Sequence, residues 1–324
     1  MNKINFDELM DLRIDFAFKL LFTKSDPRLL VSLLNAIFAN KKIPRIIENL
    51  TILNPYLDKE YDNDKLSILD IKAKLDDNTD ILIEMHMYGL GELKAKTIRS
   101  WAKVFATGLK AGEDYSAQPP AISIAFSNGK IDNTTEDDKI HKLCMIMDVE
   151  NHTIFTNSME LHYINMQSFI HDVNKTGKLN INEALTKWLL IITQKEINDK
   201  SLIEEACKYE EEIQVAVSEL AKQWQDEVAR IEYFQRQDEI YFANKREERY
   251  KKIKENYRQA QEALEEYKQA QEEYKRVQEE YKRVQEEKET ALRLAEEERL
   301  KANAEIEKLR KELERYKAVS VKKS

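Results

Sequence analysis

The chain has 324 residues, a net charge of −8 and two cysteines, Cys144 and Cys207. That length accommodates a real core and more than one domain. The acidic balance argues against unselective wrapping of nucleic acid, and two cysteines give no disulfide framework. With no apolar run of ~18 residues and no leader-like centre in MNKINFDELMDL, a cytoplasmic protein off the membrane is expected.

The first elements are helical. Asp15, Phe16, Phe18, Lys19 and Phe22 fall in one short stretch, followed by an apolar helix over Arg28–Phe38. Phe18, Leu21 and Phe22 read as core. Asp15 and Lys19 are four apart, hence neighbours, and the simplest explanation is a surface ion pair worth a few tenths of a kcal/mol.

Two apolar runs follow, Ser67–Lys74 and Asp80–Tyr88, separated by Leu75-Asp76-Asp77-Asn78-Thr79. Alternation of Ile68, Ile71 and Ala73, then Ile81, Ile83, Met85 and Met87, predicts two strands joined by a hairpin turn at the Asp-Asn tip. A loop centred near Asp77 sets Asp70 opposite Glu84, with about 5 Å between Cβ atoms, and His86 on the same face. The plain explanation is an amphipathic strand pair with a polar, solvated face. The other is a divalent-metal site, because a hard cation such as Mg²⁺ needs only one or two carboxylates besides water and phosphate. Such an ion activates water and offsets charge on a phosphodiester.

Glu92–Leu109 has Ile98, Ala102, Phe105 and Leu109 at helical spacing, which predicts the buried face. Lys96, Arg99, Lys103 and Lys110 follow the same rhythm on another face. Residues 1–200 hold 25 Lys+Arg against 29 Asp+Glu, so phosphate attraction has to be local. This stripe either holds a DNA backbone or is a solvated helix face. Beyond Pro119-Pro120, Ala121–Ser127 reads as a strand ended by Asn128-Gly129, and Leu143–Val149 and Leu161–Met166 flank a turn at Asn151. His141, His152, His162 and His171 lack metal-ligand spacing and read as ordinary surface or core residues.

From about Ile181 the pattern is helical. Leu185, Trp188, Leu189 and Ile192 share a face, with Asn180 or Asn182 as cap, and helix continues over Ile203–Lys222 and Trp224–Tyr250. Gly177 is the last glycine or proline in the chain. Residues 253–317 contain YKQAQEE-YKRVQEE-YKRVQEE, which repeats Tyr267, Tyr274 and Tyr281 every seven residues with Ala270, Val277 and Val284 three later. This predicts a coiled coil, with a stutter near Lys288 and a new seam through Leu292, Ala295, Ala302, Ile306, Leu309, Leu313 and Tyr316. A single long helix held by Glu–Lys pairs is the alternative. The preferred expectation is a parallel homodimer.

RIDFAFKLLF (Arg13–Phe22), LLNAIF (Leu33–Phe38), ILNPYL (Ile52–Leu57), the segment Asp64–Met87, WAKVF (Trp101–Phe105), GEDYS (Gly112–Ser116) and ELHYINM (Glu160–Met166) occur in that order. Together they resemble the bacterial PD-(D/E)XK nuclease family transposases, also called the recombination-promoting nucleases. The likeness covers roughly residues 10 to 245, including a weaker helical match around Trp224–Glu247. It implies an α/β fold with a restriction-endonuclease-like core, its mixed sheet flanked by helices. The expected division is a nuclease-like domain over 1–180, a helical extension over 181–252, the coiled coil over 253–317 and a disordered tail over 318–324.

The resemblance further implies metal-dependent DNA cleavage with Mg²⁺ or Mn²⁺, Asp70 as first acid and Glu84 as second. Two residues past that Glu the superfamily has Lys and this family usually Gln; here it is His86, which can serve as base, ligate a metal or mark a decayed site. The family's DF-x-FK motif makes Asp15, with Lys19, an accessory candidate, and Glu48 a weaker one. The expected function is a DNA endonuclease acting in recombination, mobile-element biology or defence. The alternative is a non-catalytic scaffold with a relic nuclease fold.

Overall fold

The computed structural model describes residues 4–39, 45–54, 56–57, 67–68, 70–87, 90–129, 139–177 and 179–321. Pro55, residues 58–66, Leu69 and Tyr88, which fall in the quoted motifs and the predicted strands, lie outside them, as do 322–324 at the end of the predicted tail. Contacts divide the chain into two units, Met1–Glu248 and Arg249–Ser324.

In the first unit, helix α1 spans Asp15–Lys24 and α2 spans Pro27–Phe38. Asp26 begins α2: its carboxylate accepts the Arg28 N–H, and Pro27 occupies the first turn, where no amide partner is needed. The buried faces of the two helices, with Phe18, Phe22, Leu30, Leu33 and Leu34 at 0 % exposure, form one side of the core. Strands follow as β1 (Leu50–Leu53), β2 (Tyr56–Leu57), β3 (Ser67–Ile68), β4 (Ile71–Leu75) and β5 (Asp80–His86). Then come α3 (Leu93–Ala106), β6 (Ala121–Ser127), β7 (His141–Met145), β8 (Met147–Asp148), β9 (Thr153–Ile154) and β10 (Met159–Asn165). The sheet order is β1-β4-β5-β6-β10-β7, with β5, β6 and β10 mutually parallel and the outer pairings antiparallel. A parallel β5–β6 pair needs a crossover, and α3 supplies it.

The two sheet faces meet different partners. Ile81, Ile83, Ile122, Ile124 and Phe126 face the core shared with α1 and α2, where the Phe18 ring lies 5.5 Å from that of Phe126. Leu82 and Ala121, then Ala125, Leu161 and Tyr163, face α3. On β5 a solvated face is overturned, since every residue is buried, as expected of a strand covered by helices on both sides; on β4, Lys72 and Lys74 stay half-buried.

The hairpin register is the one the sequence predicts, with Ile71 opposite Ile83 and Lys74 opposite Asp80. Its tip holds Asn78 at φ +67°, with Leu75 and Thr79 joined by a 2.9 Å backbone bond. The first predicted strand, however, is two. Ser67–Ile68 pairs with Tyr56–Leu57 in a separate ribbon, and the main strand begins only at Ile71. At the break the Asp70 carboxylate, not a backbone carbonyl, accepts the Met85 N–H at 2.6 Å.

The predicted face of α3 is also corrected. Ile98 is 45 % exposed and Ala102 is exposed, whereas Leu93, Thr97, Ser100 and Val104 are buried. Small polar residues let the helix lie close to the sheet, and the Trp101 indole N–H donates to the Ala121 carbonyl at 2.8 Å. Lys110 lies past the helix end. The run Leu143–Val149 is likewise split into β7, paired with β10, and β8, paired with β9 across the Asn151 turn.

After α4 (Met166–Thr176), helices α5 (Ala184–Ile192), α6 (Lys200–Tyr209) and α7 (Glu211–Gln225) add to the same core, with Trp188 5.5 Å from Phe22. Neither Asn180 nor Asn182 caps α5; Glu183 stands at the cap position without a side-chain cap bond, and the helix is buried from Thr186 to Ile192. The predicted helix over Ile203–Lys222 breaks at Glu210. Helix α8 runs Glu227–Val321, begun by Asp226, whose carboxylate accepts from Val228 and Ala229. A buried polar chain runs from Arg45 to Glu160 (3.1 Å), on to His162 (3.4 Å) and to His141 (2.9 Å). Within the second unit, Tyr267, Tyr274, Val277, Tyr281 and Val284 are each more than half exposed, so the heptad seam is unpartnered within one chain.

Candidate active site

Continuing the hairpin register by one residue sets Asp70 across from Glu84, and both line one open cleft of about 420 Å³. Its walls also carry Asp15 and Lys19 from α1, His86 from the end of β5, Lys96 from α3, and Arg236 and Ile240 from α8. The structure thus brings together Asp70, Glu84, His86, Asp15, Lys19 and Lys96. It does not bring Arg99, Lys103 or Glu48 to the cleft wall: Arg99 and Glu48 are exposed elsewhere, and the Lys103 ammonium is buried.

The two acids sit in different electrostatic surroundings. Asp70 is mostly enclosed, and its second oxygen takes the Lys19 ammonium at 3.1 Å. Burial pushes its carboxyl above the usual range; Lys19 and the Met85 amide pull the other way, and the charge of Asp15 adds to the rise. Glu84 is 3 % exposed on the α3 side of the sheet. Across that face the parallel register aligns Glu84, Ala125 and Tyr163, and the small Ala125 leaves the tyrosine close enough to feel the carboxylate. Burial raises the Tyr163 phenol to about 12, so it stays protonated at neutral pH.

His86 Nε2 lies 3.6 Å from Glu84 Oε2, and both atoms are buried without a hydrogen-bond partner among the described residues. Orphaned polar atoms of this kind are costly unless something else occupies the site. The donor set, two carboxylates and an imidazole, suits a divalent cation with Asp70 and Glu84 as its oxygen ligands. No group of three or more His, Cys, Asp or Glu side chains among the described residues forms a ready-made metal cage.

Asp15 and Lys19 do not pair with each other. Asp15 receives the Arg236 guanidinium through Nε and Nη2, each at 2.7 Å, while Lys19 turns to Asp70. Arg236 is a cleft residue that motif reading missed; Tyr163, inside the quoted ELHYINM, lies near Glu84 but not on the cleft wall. Arg236 lies 221 positions from Asp15, and only the weak helical likeness around Trp224–Glu247 pointed to its segment. Tyr163 becomes legible only once the register across β5, β6 and β10 is known.

A mixed sheet between helical layers, with an acid where a hairpin strand begins and another on its partner, defines the class: an α/β protein consistent with the PD-(D/E)XK nuclease fold. The family described as PD-(D/E)XK nuclease family transposase matches residues 12–247, and the chain belongs to it. Nucleases of this type generally use divalent metals. No curated protein and no solved structure matches the chain. No helix among the described residues is long and apolar enough to cross a membrane.

Proposed function

We propose that this protein is a metal-dependent DNA endonuclease that hydrolyses phosphodiester bonds at the Asp70–Glu84 cleft. The observation carrying the reading is the buried pair Glu84 Oε2 and His86 Nε2, without hydrogen-bond partners among the described residues, beside a second acid and the cleft cations. Asp70 and Glu84 would hold Mg²⁺ or Mn²⁺. When bound, that ion supplies Lewis acidity toward a phosphoryl oxygen and charge that offsets the pentacovalent transition state. His86 stands where the family usually has Gln; its Nε2 orients the attacking water and takes its proton as the new P–O bond forms, while the ester bond breaks and the leaving oxygen takes a proton from solvent to depart as a hydroxyl. Lys19 holds the Asp70 carboxylate in place, Asp15 serves as an accessory acid, and Lys96 on the cleft wall contacts a backbone phosphate, with the exposed Arg99 further along α3 as a second, outlying contact.

The nuclease-like part is assigned to residues 1–180 and the helical extension to 181–252. The segment 253–317 is assigned as a coiled coil that makes a homodimer, with 318–324 as a tail. Two sites brought together in this way would cut both strands of a duplex. Two free cysteines accord with a reducing, cytoplasmic setting, and recombination, mobile-element movement or defence with the family.

The test is plasmid nicking in Mg²⁺ and in Mn²⁺. Asp70→Ala or Glu84→Ala should lower cleavage at least ~10²-fold. Equal nicking by wild type and variants removes the assignment. A second reading, a non-catalytic scaffold, is favoured by Asp70 being already engaged by Lys19 and Met85. It predicts no Mg²⁺ heat in calorimetric titration of wild type, and a gain of cleavage in His86→Gln.

A further inference from the structure

Arg236 reaches the cleft from α8, within the first unit, and presents its fork to Asp15 while Nη1 donates to Glu239 at 2.5 Å. Asp15 is well enclosed, its side chain 14 % exposed, whereas that of Arg236 is 33 % exposed and faces the open cleft. A surface tie between two helices does not need this placement. The pair lines the same cavity as Asp70, Glu84, His86 and Lys96, where three carboxylates (Asp15, Asp70 and Glu84) would repel an incoming polyanion.

A guanidinium binds a phosphodiester as it binds a carboxylate, through two parallel N–H···O bonds to oxygens on one centre. Here the carboxylate already holds the fork in the orientation a phosphate would require. We propose that Arg236 is a phosphodiester-binding residue kept in place by Asp15, which it releases for a backbone phosphate of the DNA strand entering the cleft. The exchange leaves the Asp15 carboxyl without the guanidinium, in the cleft that it shares with Asp70 and Glu84. That fits Asp15 acting with the other two acids once substrate is seated. This assignment rests on the nuclease reading and adds to it a residue that recognises the substrate backbone.

The experiment uses the full chain, a fluorescein-labelled 20-base-pair duplex and buffer with EDTA, so that no cleavage intervenes. Affinity is read by anisotropy across a salt series, and melting temperature is read beside it. Asp15→Asn frees the fork and should tighten binding by about tenfold, the size of one charge-assisted contact. Arg236→Gln should weaken binding and lower the salt slope by about one. In Asp15→Asn combined with Arg236→Gln, the tenfold gain should vanish.

If the gain persists in the double variant, it reflects only lost repulsion and the proposal falls. If both single variants lose melting temperature and neither changes affinity, the pair is a structural tie and the proposal also falls. Arg236→Lys guards against misfolding, since it keeps the charge but not the fork and should bind between wild type and Arg236→Gln. Lys96→Glu separates the two readings. Where it weakens binding but the Asp15 and Arg236 variants do not behave as stated, only this inference is lost. Where wild type binds no duplex in EDTA and none with Ca²⁺ in place of EDTA, the nuclease reading goes with it.

Discussion

Asp70 is a carboxylate that the fold holds at a cost. Burial raises its pKa, so ionising Asp70 is harder in the folded chain than in the unfolded one, and its contribution to stability is fully present below the unfolded value near ~3.9. That contribution is lost as pH rises through the raised folded value. Asp70→Asn should therefore melt a few degrees above wild type at pH 7, with the difference closing as pH falls below ~4. Thermal melts from pH 3 to 8 check this; a variant less stable at pH 7 shows that the Lys19 contact outweighs burial. Added Mg²⁺ should stabilise wild type and leave the variant unmoved. The Ile71–Ile83 register, which extrapolates to Asp70 and Glu84, was legible in the sequence because antiparallel partners sum to a constant once the turn centre is placed. The environment of each acid was not legible, because burial by α3 and the reach of Lys19 and Arg236 are tertiary facts.

At the scale of elements, the hairpin and α1 carry the site. Asn78 sits at φ +67°, a conformation that alanine adopts at a cost and glycine adopts freely. Asn78→Ala should cost about 1 kcal/mol in urea unfolding and Asn78→Gly close to nothing. Phe18 is fully buried between Phe22 and Phe126 and anchors the helix that presents Asp15 and Lys19. Phe18→Ala should lose ~3–5 kcal/mol, far more than any ion pair on that helix. The α1 core residues were readable from spacing alone. The buried face of α3 was not, because Thr97 and Ser100 look like surface residues while Ile98 looks like core. Close approach to Ala121 and Ala125 reverses that order, and no periodicity in the helix itself records the shape of the sheet beneath it.

For the whole molecule, the first unit contains the core, the cleft and the matched family region, and the second adds only helix. Removing residues 249–324 should leave the melting temperature of the first unit within a few degrees of wild type. On the coiled-coil assignment it should also convert a dimer to a monomer in sedimentation and turn double-strand breaks into nicks. A full-length chain that is monomeric at tens of micromolar removes the dimer. The two adjacent YKRVQEE blocks, Tyr274–Glu280 and Tyr281–Glu287, are identical. Duplicating or losing one such block shifts everything after it by a whole number of heptads and so keeps the seam in phase, whereas three or four residues would not. On the coiled-coil assignment, the length of this segment can therefore change in seven-residue steps while the same side chains stay on the seam.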